Sequence, residues 1–328
     1  MRRTLLKAAI AGVALGLAMA ATAQDAGRYP SRPIRFIVPA APGGPSDVVA
    51  RLVAEKLGAA LGQTVLVENR PGASLTLGTA AVAQAAPDGY TLLFTTSTPI
   101  VMVPFTMKKP PYDVQRDLTT VSHLGTTPLV LYVNGGSAIH NIRQLTEAAR
   151  ARPDAANYGS YGNGSSAHVL GEMLIRQTGV KMVHVPYKGV APELQALVAG
   201  EIMLAVADIG TAAPLAKAGR IRPIAVTGTQ RSPNLPDTPT FAEQGITGME
   251  PFSPWWGLFA PQKTPAAVVD QLSAEVARLV RSADLRDRLL GFGLDPSGTS
   301  AAQGNEITRQ DMAKWQAILR EVSYINFE

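Results

Sequence analysis

The sequence predicts a two-lobed α/β protein with a cleft between the lobes. Three observations lead there. Strand-like and helix-like segments alternate along the 328 residues in two successive blocks, each of about domain size. Both blocks contain the same unit: a β-rich run, a glycine-bearing loop and a helix start. Hydrophobic residues make up 46% of the chain, enough for two cores and too many for a disordered chain.

The N-terminus comes first because it changes the charge balance. Arg2, Arg3 and Lys7 form a basic head, Ala8 to Ala23 carries no charge, and Ala21-Thr22-Ala23 fits the small-x-small pattern before a cleavage site. The run is short and alanine-rich for a membrane span and lacks a stop-transfer cluster. A signal peptide cleaved after Ala23 is expected. Arg2-Arg3-Thr4-Leu5-Leu6-Lys7 resembles a twin-arginine signal, but Sec signals also carry paired arginines, so both export routes stay open. Loss of residues 1–23 removes three positive charges and no acid, taking the formal net charge from +5 to +2. That leaves no basic footprint for nucleic acid. Zero cysteines exclude disulfides, thiolate metal sites, a cysteine nucleophile and lipid attachment at a lipobox. The mature protein is therefore expected to be free in a periplasm-like compartment, and no later stretch approaches the ~20 apolar residues of a spanning helix.

The first block begins with the strand Ile34 to Val38 and a Pro/Gly loop from Pro39 to Pro45. Val49, Val53, Leu57 and Leu61 step by four and predict a helix from Ser46 to Leu61. A strand at Thr64 to Val67, an alanine-rich helix at about 78–86, the turn Pro87-Asp88-Gly89 and a strand at Tyr90 to Thr95 follow. This βαβαβ order predicts a mostly parallel sheet. The second block reads strand Leu129 to Val133, helix Ile142 to Arg150, strand Asn157 to Tyr161, helix 165–178 and strand Met182 to Val185. It continues with helix Pro192 to Ala199, strand Ile202 to Val206, helix 211–218 and strand Arg222 to Val226. After a proline-rich connection, Pro233 to Pro239, come the aromatic strand Trp255 to Phe259 and two or three closing helices. In the last of these Met312, Trp315, Leu319 and Val322 step by three and four and mark a core face.

Two loops carry the functional expectation. Pro39 to Asp47 places Gly43, Gly44 and a capping Ser46 at a helix start, where glycine admits close approach and free N–H groups attract anions. An ordinary capped turn would look the same. Tyr158 to Ser166 is richer, with three glycines, three serines, an asparagine and two tyrosines, more hydrogen-bonding capacity than a turn needs. Both loops follow strands at their carboxyl ends, where α/β sheets bind ligands. Gly162-Asn163-Gly164-Ser165-Ser166-Ala167 also fits a dinucleotide fingerprint, but the strand ending near Val185 carries no acid for a ribose. There is no phosphate-loop lysine and no G-x-S-x-G, and His123, His140, His168 and His184 lack metal spacing, so no catalytic residue, cofactor or metal is expected. Histidines 168 and 184 are read as packed or cleft-lining. Asp208 either faces the cleft or caps a helix, and Phe252, Trp255, Trp256 and Phe259 are read as core or hinge packing ahead of a ligand-stacking wall.

Across nearly the whole mature chain these motifs resemble the extracytoplasmic solute receptors of tripartite tricarboxylate transporters, the Bug family. The resemblance rests on Tyr29-Pro30-Ser31-Arg32-Pro33-Ile34, Pro42-Gly43-Gly44 with Asp47, and Val67-Glu68-Asn69-Arg70-Pro71-Gly72-Ala73. It extends through Ala86-Pro87-Asp88-Gly89-Tyr90-Thr91-Leu92, Tyr158-Gly159-Ser160, Val185-Pro186-Tyr187-Lys188-Gly189, Arg231-Ser232-Pro233 and Leu235-Pro236-Asp237. One departure is Ser74-Leu75-Thr76-Leu77-Gly78, where the family usually has Gly-Gly-Asn-Ile-Gly; it should alter a wall near the first lobe. The resemblance implies a two-lobed, type II-like periplasmic-binding-protein fold with two crossover strands, near residues 123–129 and 251–258. The expected division is a leader at 1–23, lobe one at 24–124 and 257–328, and lobe two at 125–256. It also implies a monomeric receptor, not an enzyme, that takes a small carboxylate and hands it to a two-component membrane permease. A sensor feeding a membrane signalling partner is the alternative. The expected ligand-binding residues are Gly43, Gly44 and Ser46 from one lobe and Ser160, Tyr161, Asn163, Gly164, Ser165 and Ser166 from the other. Thr96, Ser97, Thr98, Tyr187 and Asp208 are expected to line the cleft beside them.

Overall fold

The computed structural model describes residues 29–322 except Gly44, Ser74, Gly164 and Lys188, so the expected leader lies outside the described residues. Strand β1 (Ile34–Val38) buries Ile34, Phe36 and Val38 on one face and Ile37 on the other, with only Arg35 exposed. Helix α1 (Pro45–Leu61) starts on a proline, which suits a first turn whose N–H has no helical acceptor. Its predicted stripe is real: Val49, Val53 and Leu57 are buried, with Leu61 half-buried at the end. Strand β2 (Val65–Asn69), helix α2 (Thr76–Ala83) and strand β3 (Thr91–Thr96) complete the first unit, with α2 beginning and ending earlier than predicted. At the departure in the 73–78 loop the backbone is still left-handed, with φ of 46° at Ala73 and 71° at Leu75, a conformation that favours glycine.

A π-helical turn (Thr98–Met102), α3 (Val103–Thr106) and α4 (Val114–Asp117) then lead into β4 (Leu118–Thr126). The chain crosses into a second sheet through β5 (Leu129–Asn134), α5 (Ile142–Ala151), β6 (Asn157–Ser160) and α6 (Ser166–Thr178). That lobe continues with β7 (Val183–Pro186), α7 (Val190–Ala199), β8 (Leu204–Asp208), α8 (Ile209–Lys217) and β9 (Ile221–Val226). The chain returns through β10 (Trp255–Pro261) and ends with α9 (Ala266–Arg281), α10 (Ala283–Gly291), the short β11 (Asp295–Pro296) and α11 (Ala301–Glu321).

The sheets run β11-β4-β10-β3-β1-β2 and β7-β6-β8-β5-β9. Only part of each is parallel. Strand β1 is parallel to β2 and β3, while β10 is antiparallel to both β3 and β4. In the second sheet β6 is parallel to β7 and β8, but β5 is antiparallel to β8 and β9. The predicted mostly parallel sheet is thus corrected to a mixed one in each lobe. The reason is the crossing: β5 and β10 enter their sheets from the other lobe and run against strands that were fed by local helices.

Strand β4 lacks a residue-level signal because both of its faces are covered, which erases polar alternation. Its polar groups are answered by the last helix and the turn before it. Thr120 Oγ1 and His123 Nε2 each lie 3.1 Å from Thr308 Oγ1, and Thr299 Oγ1 accepts the His123 N–H. The His123 ring stacks on Trp255 with centroids 4.0 Å apart. Helix α11 also packs Trp315 edge-on against Phe252, at 5.1 Å, so the two closing segments brace each other. One apolar cluster, including Leu93, Leu129, Tyr158, Phe252 and Trp315, draws on both sheets and the hinge.

Helix α6 approaches β6 closely through Gly171, where a Cβ would enter the van der Waals envelope of the Tyr158 ring. Gly171→Ala is expected to cost about 1–3 kcal/mol of unfolding free energy by overpacking, despite the ~1 kcal/mol gain in helix propensity. Urea unfolding followed by far-UV circular dichroism measures it; an unchanged or raised midpoint would contradict this packing.

Candidate functional site

A cavity of about 610 Å³ lies between the two sheets, lined by residues of both lobes and of the crossings. Four helix starts border it: Pro45 and Ser46 of α1, Ser165 and Ser166 at α6, Val190 at α7, and Asp208, Gly210 and Thr211 at α8. Such ends leave N–H groups without helical acceptors, and each favours an anion by about 0.3–1 kcal/mol, or ~2 when partly buried.

The first loop is held from behind by Asp47. Its Oδ2 accepts from the Gly43 N–H at 2.9 Å and from Arg51 Nε at 3.0 Å, and its Oδ1 accepts from Asn69 Nδ2 at 2.9 Å. The Arg51 hydrogen bond, with help from the Gly43 N–H and Asn69, holds this carboxyl down to about 2. Asn69 Nδ2 also donates to the Ala40 carbonyl, tying the loop to β2. Gly43 sits at φ 78°, where a side chain would be strained. In front, Trp256 Nε1 donates to Ser46 Oγ at 2.9 Å, which leaves the Ser46 hydroxyl proton free to donate elsewhere.

The second loop is self-bonded. Ser165 caps α6 by accepting from the His168 N–H and donates to the Gly162 carbonyl. Tyr161 Oη and Ser166 Oγ are hydrogen-bonded to each other. One of that pair must donate, so one proton remains available to the cavity. Behind the loop, Ser160 Oγ contacts His184 Nε2 at 2.7 Å, and the His168 and His184 rings stack 3.7 Å apart. Burial, then the neighbouring His168, pushes His184 down to about 4, and burial also lowers His168 despite nearby Glu172. Asp208 caps α8, its Oδ1 accepting from the Thr211 N–H at 2.8 Å. At the crossing, Thr127 lines the cavity, but its hydroxyl oxygen is buried away from that space and has no hydrogen-bond partner among the described residues.

Of the residues expected from sequence, Gly43, Ser46, Thr96, Thr98, Tyr161, Ser165, Ser166 and Asp208 line this one cavity. Gly44 and Gly164 lie outside the described residues. Ser160 does not line it; fully buried, it supports the loop through Gly162 and His184. Ser97 is also buried, its N–H donating to the Trp255 carbonyl. Tyr187 and Asn163 are not among the lining residues, and Tyr187 instead joins β7 to β6 through the Ser160 carbonyl. No described residue of the 71–78 loop lines the cavity, and Ser74 lies outside the described residues. Sequence reading missed Thr127, Pro254, Met102, Val190 and the Gly291-Phe292 turn. Trp255 and Trp256, read chiefly as packing, both pack and line it. The aromatic run was the available signal; the hinge residues had none. Among the described residues, no Lys, Arg or His lines the cavity, and no cluster of three His, Asp or Glu could hold a metal ion.

Comparison with known proteins follows the same lines. The family described as "Tripartite tricarboxylate transporter family receptor" matches residues 49–324. The chain belongs to this receptor family. The protein BugT of Bordetella pertussis is 32% identical over 95% of this chain and 96% of its own length. The periplasmic binding protein BugD is similar in structure at 30% identity, with a TM-score of 0.74 over 90% of this chain and 99% of its own. An R. palustris protein solved with adipate is 32% identical, with a TM-score of 0.77 over 89% of this chain and 97% of its own. MatC from Rhodopseudomonas palustris, solved with malate, is 30% identical, with a TM-score of 0.72 over 89% of this chain and all of its own. The receptor fold is therefore the two-lobed periplasmic-binding-protein fold.

The stacked histidines behind the second loop make receptor stability pH-dependent. Because the folded protein resists protonating His184, whose ordinary value is 6.5, the unfolded chain binds more protons between about 6.5 and 4. The stabilisation is complete above pH 6.5 and declines as pH falls toward 4. Urea midpoints measured across that window should fall more steeply for the native protein than for His184→Gln; parallel slopes would refute the coupling.

Proposed function

We propose that this receptor works in the periplasm, closing its two lobes on a small organic carboxylate and delivering it to a two-component membrane permease. Among the described residues, no helix is long and apolar enough to cross a membrane. The observation that carries the reading is the meeting of helix starts and hydroxyl donors in one cavity. The proton left free on Ser46 and the one left by the Tyr161–Ser166 pair are both donors in search of an acceptor. A carboxylate supplies up to four acceptor sites and complements the helix ends. Relatives solved with adipate and with malate support the same ligand chemistry. No nucleophile–base pair or metal site is evident among the lining residues, which favours capture over turnover.

Closure follows from the architecture. Helix starts from opposite lobes can face one ligand together only when the lobes approach, so an anion between them stabilises the closed arrangement. Thermal-shift screening of the mature protein against mono-, di- and tricarboxylates, aromatic acids and acidic amino acids, followed by calorimetry, tests the reading. If a sugar or a cation raises the melting temperature and no carboxylate does, it is wrong. Ser46→Ala removes one of these donors. It should weaken carboxylate binding about 5–10-fold, the worth of one neutral hydrogen bond, measured by calorimetry on the hit ligand; unchanged affinity would take Ser46 out of the site.

A further inference from the structure

The two walls of the cavity differ in charge. On the first-lobe wall, the acid of the helix start, Asp47, points away from the cavity into Arg51, Asn69 and the Gly43 N–H. The start of α1 therefore meets the cavity as an unanswered positive pole beside the Ser46 donor. On the second-lobe wall, Asp208 itself lines the cavity and already answers the start of α8. Its Oδ2 makes no hydrogen bond or ion pair to a described residue, and its charge reaches Tyr161, helping burial disfavour the phenolate there. Since no described Lys, Arg or His lines the cavity, Asp208 is its sole formal charge among the described residues.

The middle is apolar. Of the large hydrophobic side chains that remain exposed, Val48 and Phe292, at 37% and 40%, both line this cavity. Trp256, Met102 and Val190 extend the same surface. A small, fully polar diacid would leave these groups wet and would bring its second carboxylate toward Asp208.

Resting on the carboxylate reading above, we propose that the cleft selects a monocarboxylate with an apolar, aryl-sized body and a hydrogen-bond-donating far end, and discriminates against dicarboxylates. The carboxylate sits at the α1 start, the body lies against Phe292 and Trp256, and the far hydroxyl or ammonium group donates to Asp208.

Calorimetry on the mature receptor tests this with para-hydroxyphenylpropanoate, phenylpropanoate, para-carboxyphenylpropanoate and adipate. The hydroxy acid should bind tightest, and the para-carboxy acid at least about tenfold more weakly, because like charges meet in a desolvated site. Asp208→Asn preserves the helix cap, since Asn caps as well as Asp. It should strengthen para-carboxyphenylpropanoate binding by about tenfold and leave phenylpropanoate within about twofold. Phe292→Ala, at a half-exposed position, should weaken the three aryl acids about 5–10-fold and leave adipate unmoved. Adipate or the para-carboxy acid binding as tightly as the hydroxy acid overturns this inference while the carboxylate reading stands. An unchanged ratio in Asp208→Asn also overturns it. If no organic acid binds at all, both readings fall.

Discussion

The two passages of the chain between its sheets are bonded to each other, and the binding site depends on that. The Thr127 N–H donates to the Pro254 carbonyl, and Thr227 Oγ1 donates to the Phe252 carbonyl while accepting from the Leu129 N–H. Buried crossover backbone must find partners, and here each crossing supplies them for the other. The result is a paired ribbon at the cavity floor. The Ser97 N–H donates to the Trp255 carbonyl, which ties the ribbon to the turn beyond β3. The proposed closure would bend only these few residues, while each sheet keeps its own hydrogen bonds.

From that ribbon the rest of the site follows. Strand β10 carries Trp255 and Trp256 out of the crossing, and their indole nitrogens reach opposite sides: Trp255 donates to Asp311 on α11, and Trp256 to Ser46 on α1. One strand thus links the closing helix, the hinge and the first binding loop. Its two aromatic neighbours combine packing and lining roles because successive side chains along a strand point to opposite faces, so adjacent residues serve different surroundings. A further brace spans the lobes at the rim, where Asp295 beside β4 accepts from Ser232 and Asn234 beyond β9. Behind the second loop Ser160 and Ser165 are hydrogen-bonded within the protein, so loop shape is set before ligand arrives. Preorganisation of this kind reduces the ordering cost of binding.

Much of this was legible in the residues. The step-of-four stripe of α1 and the glycine-bearing loops encode local structure through short-range sterics and hydrogen bonds. Ser46, expected as the cap of α1, instead lies within its first turn because the helix already starts at Pro45. Eight expected residues meet in one cavity because loops at strand carboxyl ends point the same way in an α/β sheet. Ser160 was misplaced because a strand-end serine reads alike whether it faces a ligand or a buried histidine; only packing tells them apart. Strand β4 escaped because burial on both faces removes the alternation that marks a half-exposed strand. The mixed direction of the sheets escaped because strand polarity after a long crossing is a long-range property.

Sequence alone determined the α/β class, the family and the absence of cysteine chemistry, since each is written in contiguous residues. It placed several helices but missed their first residues by one or two positions. Tertiary structure decided what the cavity is made of. It turned Asp47 inward and left Asp208 facing the space, although both are acids at the start of a helix. It left the Thr127 hydroxyl unanswered and brought Phe292, from the far end of the chain, to the same wall. The physical reason is that a side chain's charge and hydrogen-bonding state depend on which distant groups come within about 3 Å of it, and folding sets those distances.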